Sequence, residues 1–223
     1  MTFSLVARCA KTGQFGVVIS SSSPAVAARC SHVRAGVGAV ASQNVTDPAL
    51  GPLLLDALAT GADATAALMT VTAGRDFIDY RQLLVVDRSG GVAIHSGTNV
   101  LGIWGEARGK DCASGGNLLA NNTIPATMVA AFETATGHLG DRLIAALQAG
   151  LAAGGEAGPV RSAGLKLADR LSWPLVDLRI DWADDPIGML AEAWQIYRPQ
   201  MAAYVQRAED PTQAPSYGVP GDE

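Results

Sequence analysis

Thr2-Phe3-Ser4-Leu5-Val6-Ala7-Arg8, then Lys11-Thr12-Gly13, then Phe15-Gly16-Val17-Val18-Ile19 running into Ser20-Ser21-Ser22-Ser23, is the stretch whose reading decides the fold. Two short β-prone runs, residues 3–7 and 15–19, are separated by a turn-like tripeptide, which predicts an antiparallel hairpin. A centre near Thr12 sets Thr2 opposite Ser22 to within about a residue, with Ser21 and Ser23 beside it. Four consecutive hydroxyl side chains before Pro24 form either a turn or a polar site next to Thr2.

Moving outward, residues 35–43 (Ala35-Gly36-Val37-Gly38-Ala39-Val40-Ala41-Ser42-Gln43) read as a third strand of small and β-branched residues, suited to close packing between layers. Asp47-Pro48 turns the chain. Gly51-Pro52 opens a helix to residue 59, with Gly51 as N-cap and Pro52 at the first helical position. A second helix is expected over residues 63–72. Residues 82–87 and 91–96 form another strand pair around Arg88-Ser89-Gly90, and a loop-rich segment runs to Lys110. An irregular strand is expected over residues 112–118. Helices are expected from Thr123 and Pro125 to Gly137, and along the stripe Leu139, Leu143, Ile144, Leu147 and Leu151.

Gly154-Gly155 begins a loop reaching Arg161. Residues 162–167 and 175–180 read as two more strands. Asp185-Pro186 caps a helix whose Ile187, Leu190, Trp194 and Tyr197 share a face. Strands in pairs separated by pairs of helices are not βαβ alternation, so the class is mixed α and β, with sheet packed on sheet and helices outside. One domain is expected over residues 1–207, with a polar, Pro/Gly-containing tail over 208–223.

With 223 residues, 48% hydrophobic and 17% charged, the chain is long and apolar enough for a sizeable core. A net charge of -5 without any Lys/Arg cluster argues against nucleic acid as a partner. Cys9, Cys30 and Cys112 are odd in number and scattered, which fits a reducing compartment better than disulfides or zinc. Arg8 and Lys11 break the only N-terminal apolar stretch, and no run approaches the ~20 residues of a membrane span. The expectation is a cytoplasmic protein without membrane contact.

Motif matches are weaker than they look. Gly36-Val37-Gly38-Ala39-Val40-Ala41 fits Gly-x-Gly-x-x-Ala, but it lies inside a strand instead of between strand and helix. Lys11-Thr12-Gly13 lacks the Ser-x-x-Lys of serine β-lactamases. His32, His95 and His138 have no metal-ligand spacing. Asp181, Asp184 and Asp185 read as strand exit and helix cap. No metal and no cofactor is expected.

Thr2 carries the sharpest chemical suggestion. Loss of Met1 would put a hydroxyl nucleophile and a free α-amine, titrating near about 7.7–8.0, on one residue. A threonine and its own terminal amine activate an alcohol without histidine. The plain alternative is an ordinary Met-Thr start. Gln43 at the end of the third strand and Asn117 after Gly115-Gly116 are amides placed where backbone can approach a ligand, and an amide NH2 can donate to an oxyanion. Arg81 and Arg161 are guanidinium groups able to grip a carboxylate.

These residues together resemble a family catalogued as domain of unknown function 1028. The resemblance is carried by the opening strand from Thr2 to Arg8, Thr12-Gly13, Gly16-Val17-Val18, Ala35 through Gln43, Gly51-Pro52, Arg81-Gln82, Val85-Val86-Asp87, Gly116-Asn117-Leu118, Arg161-Ser162-Ala163 and Asp177 through Asp181. It runs from Thr2 to about Trp182. That family is grouped with N-terminal-nucleophile hydrolases, which implies an α+β four-layer αββα sandwich with Thr2 at the nucleophile position. The resemblance supplies no substrate; the leading expectation is an amidohydrolase cleaving a C–N bond of a small substrate, a carboxylate-bearing one being an option. Thr2, Ser21 and Asn117 would be catalytic, and Ser22, Gln43, Arg81 and Arg161 would bind substrate. Threonine hydrolases such as proteasome subunits usually add an acid on the second strand and a lysine on the third. Here the matching stretches hold serines and no lysine, and a retained Met1 would mask the amine. Two other readings therefore stand beside the first: a catalytically inactive ligand-binding or assembly module, and a small-molecule deaminase. A homodimer or higher homo-oligomer is expected, closed dimers being the commonest assembly.

Overall fold

The computed structural model describes residues 1–221. Strands β1 (Thr2–Arg8) and β2 (Phe15–Ser21) form the expected hairpin. Phe3 pairs with Ser20, so the register sets Thr2 beside Ser21, one residue from the expected Ser22. Side chains alternate along β1. Phe3, Leu5 and Ala7 join the core cluster shared with helices, while Val6 faces a second sheet. Both faces are covered, which is why the strand reads as a nearly unbroken apolar run.

After β2 the chain makes a short helix α1 (Val26–Cys30) and a strand β3 (Ser31–Arg34), neither expected. Four or five residues bearing Arg29, His32 and Arg34 leave no apolar period to detect. The strand expected from residue 35 is β4 (Gly38–Asn44). Gly36 adopts a left-handed φ of 68°, and Val37 N–H donates to Arg34 O (3.1 Å), so residues 35–37 are a turn. Helix α2 (Leu50–Ala59) starts ahead of Gly51, after Asp47, whose carboxylate accepts from Ala49 N–H (3.0 Å). Asp63 caps α3 (Ala64–Thr72).

Strands β5 (Arg81–Asp87) and β6 (Val92–Ser96) complete an antiparallel sheet in the order β3-β4-β5-β6. The segment expected to be loop contains β7 (Gly105–Gly109), an edge strand. Its Gly105-Glu106-Ala107-Arg108-Gly109 has too little apolar alternation to be read as a strand. The expected irregular strand is the regular β8 (Cys112–Asn117), paired on both sides. With β9 (Ser162–Ala168) and β10 (Val176–Ile180) it belongs to a six-stranded antiparallel sheet, β10-β9-β2-β1-β8-β7.

Helices α4 (Ile124–Thr134), α5 (Leu139–Ala152) and α6 (Pro186–Tyr197) cover the six-stranded sheet, and α2 and α3 cover the four-stranded one. The result is a four-layer αββα sandwich. Leu139, Leu143 and Leu147 of α5 are buried on that sheet, each contributing roughly 1.5–3 kcal/mol. Between the sheets, Val6, Phe15, Val17, Ala39, Ala41, Leu84, Val86 and Ala113 form an apolar layer. A last helix, α7 (Met201–Glu209), crosses the expected start of the tail at residue 208 and packs Met201 and Val205 against the core. The last two tail residues, 222 and 223, lie outside the described residues.

Candidate active site

At the Thr2 end of the sandwich the layer between the sheets changes from methyl groups to polar side chains. Alternation along β1 carries Thr2 and Ser4 onto the face of Val6, and the partner strands do the same. Asn117 on β8 lies directly opposite Thr2, with Ser21 on β2 at its other side. From the facing sheet come Gln43 on β4, Gln82 on β5 and Ser96 on β6, which the strand register brings into line.

These groups form one directed chain of hydrogen bonds. Ser96 Oγ donates to Glu106 Oε2 (2.8 Å) and accepts from Gln82 Nε2 (3.1 Å). Gln82 Oε1 accepts from Gln43 Nε2 (2.8 Å) and, at 3.4 Å, from Asn117 Nδ2. Gln43 Oε1 in turn accepts from Ser4 Oγ (2.6 Å). A carboxylate only accepts, so Glu106 at one end fixes the donor direction through both glutamines. The two glutamines, Ser4 and Asn117 are buried, where an unpaired amide would cost about 1–3 kcal/mol.

Thr2 is 6% exposed, with Met1 against it. Thr2 Oγ1 lies 3.4 Å from Ser21 Oγ, and both hydroxyls donate to the Met1 carbonyl oxygen. Ser21 Oγ also accepts from Ser23 N–H (3.0 Å), which holds its rotamer. The position is therefore filled by the first residue. A cavity of about 500 Å³ bordered by Arg8, Cys9 and Arg142 lies at the other end of β1.

Glu156 is the acid that sequence reasoning missed. Gly154 and Gly155, at φ 124° and 60°, turn the chain out of α5 in conformations that side-chain-bearing residues avoid. Ala157 N–H then donates to Leu118 O (3.0 Å), and Glu156 bridges to Leu119, just past Asn117. The carboxylate is 5% exposed and accepts Ser22 N–H at 3.1 and 3.0 Å. Burial pushes its proton affinity up, to about 7, against the opposing pull of the chain's terminal ammonium and of Ser22. A lone carboxylate inside Gly154-Gly155-Glu156-Ala157-Gly158 was the sequence signal for it. Ser4, two residues from Thr2 and so on its face, was another signal of the polar layer.

Ser22 meets the site through its backbone N–H on Glu156. Arg161 donates its backbone N–H to Ser21 O (2.8 Å), and its guanidinium is ion-paired with Asp184 over the Trp182 ring. Arg81 adjoins Gln82 but donates to Val45 O. Ser21, Asn117 and Gln43 thus share the end of the sandwich with Thr2, whereas the two guanidinium groups are engaged elsewhere. Asp185 caps α6, accepting Gly188 N–H at 3.0 Å. His138 caps α5, His95 meets Ile78 O, and His32 packs half-buried against Gly51, where burial lowers its proton affinity. Among the described residues, no cluster of three or more His, Cys, Asp or Glu is arranged to hold a metal, and no helix is long and apolar enough to cross a membrane.

Two facing antiparallel sheets under helices, with a hydroxyl residue heading a central strand, define a four-layer αββα protein. The chain belongs to the family of unknown function DUF1028, whose family model matches residues 2–190. A crystal structure from Silicibacter pomeroyi, described as that of a DUF1028 protein, superposes with a TM-score of 0.81 at 30% identity, covering 88% of each chain. Anbu, the ancestral beta-subunit, from Yersinia bercovieri gives a TM-score of 0.40 at 12% identity, over 91% of this chain and 97% of that one. The Gly-1 mutant of Anbu from Hyphomicrobium sp. strain MC1 gives 0.41 at 10% identity with the same coverage. No match is found among curated proteins.

Proposed function

We propose that this protein, once Met1 is removed, is an N-terminal-threonine amidohydrolase that cleaves a C–N bond of a small substrate. The carrying observation is the convergence of Thr2, Ser21, Asn117 and the buried Glu156 at one end of the sandwich. The Thr2 hydroxyl gives its proton to the Thr2 amine and attacks the carbonyl. Ser21 Oγ–H and Asn117 Nδ2 are the donors for the oxyanion, each such donor being worth about 100- to 1,000-fold in rate. The amine returns the proton to the leaving nitrogen, and water hydrolyses the acyl-enzyme. Glu156, titrating near neutrality, supplies the acid that the second strand, with serines there, does not, and can exchange a proton with the amine.

Gln43 supports the site through Ser4 and Gln82, and Ser22 supports it through Glu156. Arg161, whose backbone adjoins Ser21, is the arginine best situated to meet a substrate carboxylate, by exchanging Asp184 for it. Arg81 would have to leave Val45 O to do the same. The reading takes the protein to be cytoplasmic, free of cofactors and a homodimer or higher homo-oligomer, with one domain to residue 207 and a tail beyond.

The test is a chain beginning at Thr2, treated with a β-lactone acylating probe and analysed by intact mass and peptide mapping. Acylation at Thr2 is expected, lost in Thr2→Ala and retained at a reduced rate in Thr2→Ser. Labelling that Thr2→Ala leaves unchanged, or a native-host protein that keeps Met1, refutes the reading. The small exposure of Thr2 favours one rival, a ligand-binding module, which would show ligand-induced thermal stabilisation with no product.

A further inference from the structure

The far end of β1 holds a second concentration of charge. At roughly 3.3 Å per strand residue, Cys9 stands about 23 Å from Thr2. There the β1–β2 turn, the β7–β8 turn, the last turn of α4 and the beginning of α5 border the cavity of about 500 Å³. That volume lies within the roughly 300–1,000 Å³ of small-molecule sites.

Its wall carries Arg8, Lys11, Lys110 and Arg142 against two carboxylates, Asp111 and Glu133. The local excess of two positive charges stands in a chain whose net charge is -5. Both carboxylates are already engaged. Asp111 pairs with Arg8 (3.0 Å), and Glu133 accepts the backbone N–H of Lys110 (2.7 Å). Among the described residues, neither Lys11 nor Lys110 forms an ion pair, although they are two of the chain's three lysines.

The guanidinium groups, by contrast, are held in place. Arg142 donates Nε (3.3 Å) and Nη2 (3.1 Å) to Phe132 O, with Cζ 3.9 Å over the Phe132 ring. Arg8 is fixed by Asp111. Each guanidinium has five N–H donors, so both keep several for a ligand. Cations gathered on one cleft repel one another and focus a positive field into it, a cost that a bound anion removes. The Cys9 thiol on the same wall registers that field. Burial raises its proton affinity, yet hydrogen bonds from Thr12 and the charge of Arg142 bring it below the ordinary value.

We infer that this cavity binds a small doubly charged oxyanion, a phosphate monoester or a dicarboxylate, gripped by the fixed guanidinium groups of Arg8 and Arg142 and neutralised by Lys11 and Lys110. A dianion matches the excess charge, whereas a monoanion leaves one cation uncompensated. Binding here needs neither Thr2 nor the loss of Met1, so it stands apart from the hydrolase reading.

The experiment is calorimetry on the full chain at pH 7.5 with glycerol 3-phosphate, inorganic phosphate, succinate, acetate and glycerol. One site is expected, binding a dianion at least about tenfold more tightly than acetate and not binding glycerol. Lys11→Ala/Lys110→Ala, at two exposed positions, should weaken binding on the order of 10- to 100-fold. Arg34→Ala, which removes an exposed cation paired with Asp56 outside the cavity, should leave it unchanged. Binding of the two phosphates without succinate identifies a phosphoryl group, and succinate alone identifies a dicarboxylate. Binding of all three shows that the double charge itself is recognised. No saturable binding of any dianion up to about 10 mM overturns the inference. So does acetate binding as tightly as the dianions, or a lysine variant that binds like the parent.

Discussion

Glu156→Gln makes a sharp demand on stability. The carboxyl moves from 4.5 in an unfolded chain to about 7 in the folded protein, chiefly through burial. Its folded proton affinity is raised, so between those values the native state holds a proton that the unfolded state has released. Stability then falls as pH rises, and the full cost of ionising the buried group is present above about pH 7. That cost is about 3 kcal/mol at pH 8 and below about 1 kcal/mol at pH 5. Glutamine keeps an oxygen for Ser22 N–H and carries no charge. The variant should therefore be more stable than the parent by about 2–3 kcal/mol at pH 8, or roughly 5–10 °C in Tm for a chain of this size. At pH 5 the two should nearly coincide. Urea unfolding at both pH values measures this. A parent chain at least as stable as the variant at pH 8, or a difference independent of pH, refutes the assignment of a buried, desolvated carboxyl.

Two further substitutions test the scaffold. Asp87 accepts backbone N–H groups from Ser89 (2.8 Å), Gly91 (2.9 Å) and Ala64 at the start of α3 (2.9 Å), tying a hairpin turn to a helix. Asp87→Ala should cost about 2–4 kcal/mol in urea unfolding, and a loss under about 1 kcal/mol would contradict it. A Cβ on Gly51 would collide with Cδ2 of the His32 ring. Gly51→Ala should destabilise by about 1–3 kcal/mol despite the better helix propensity of alanine, and a neutral or stabilising result would show that the ring has room to move.

The hairpin from Thr2 to Ser21 was legible because two β-prone runs, a turn and a hydroxyl run coincide within a short stretch. The Asp185 cap was legible for similar reasons, as was the α5 stripe apart from Leu151, which is exposed. Strand β7 was not, because its sequence is mostly glycine and charge and it owes its conformation to the adjacent β8. The turn at Gly36 was hidden by the small apolar residues around it. At the site, Thr2, Ser21, Asn117 and Gln43 were found from strand ends and amides. Gln82, Ser96 and Glu106 were not, because what joins them is the approach of two sheets, and register across that gap is written nowhere along the chain. Glu156 escaped for a related reason: its environment is made first by burial and then by the Ser22 N–H, which is remote in sequence.

The glutamine ladder between the sheets also divides the sandwich mechanically. Where methyl groups meet, around Val6, Val17 and Val86, a volume change can be absorbed by small slides of one sheet over the other. Where Gln43 and Gln82 meet, a slide breaks directional bonds in a dry setting. Core redesign at the far end should thus leave the spacing at Thr2 untouched, making the fold a stiff jaw at one end and an adjustable grip at the other.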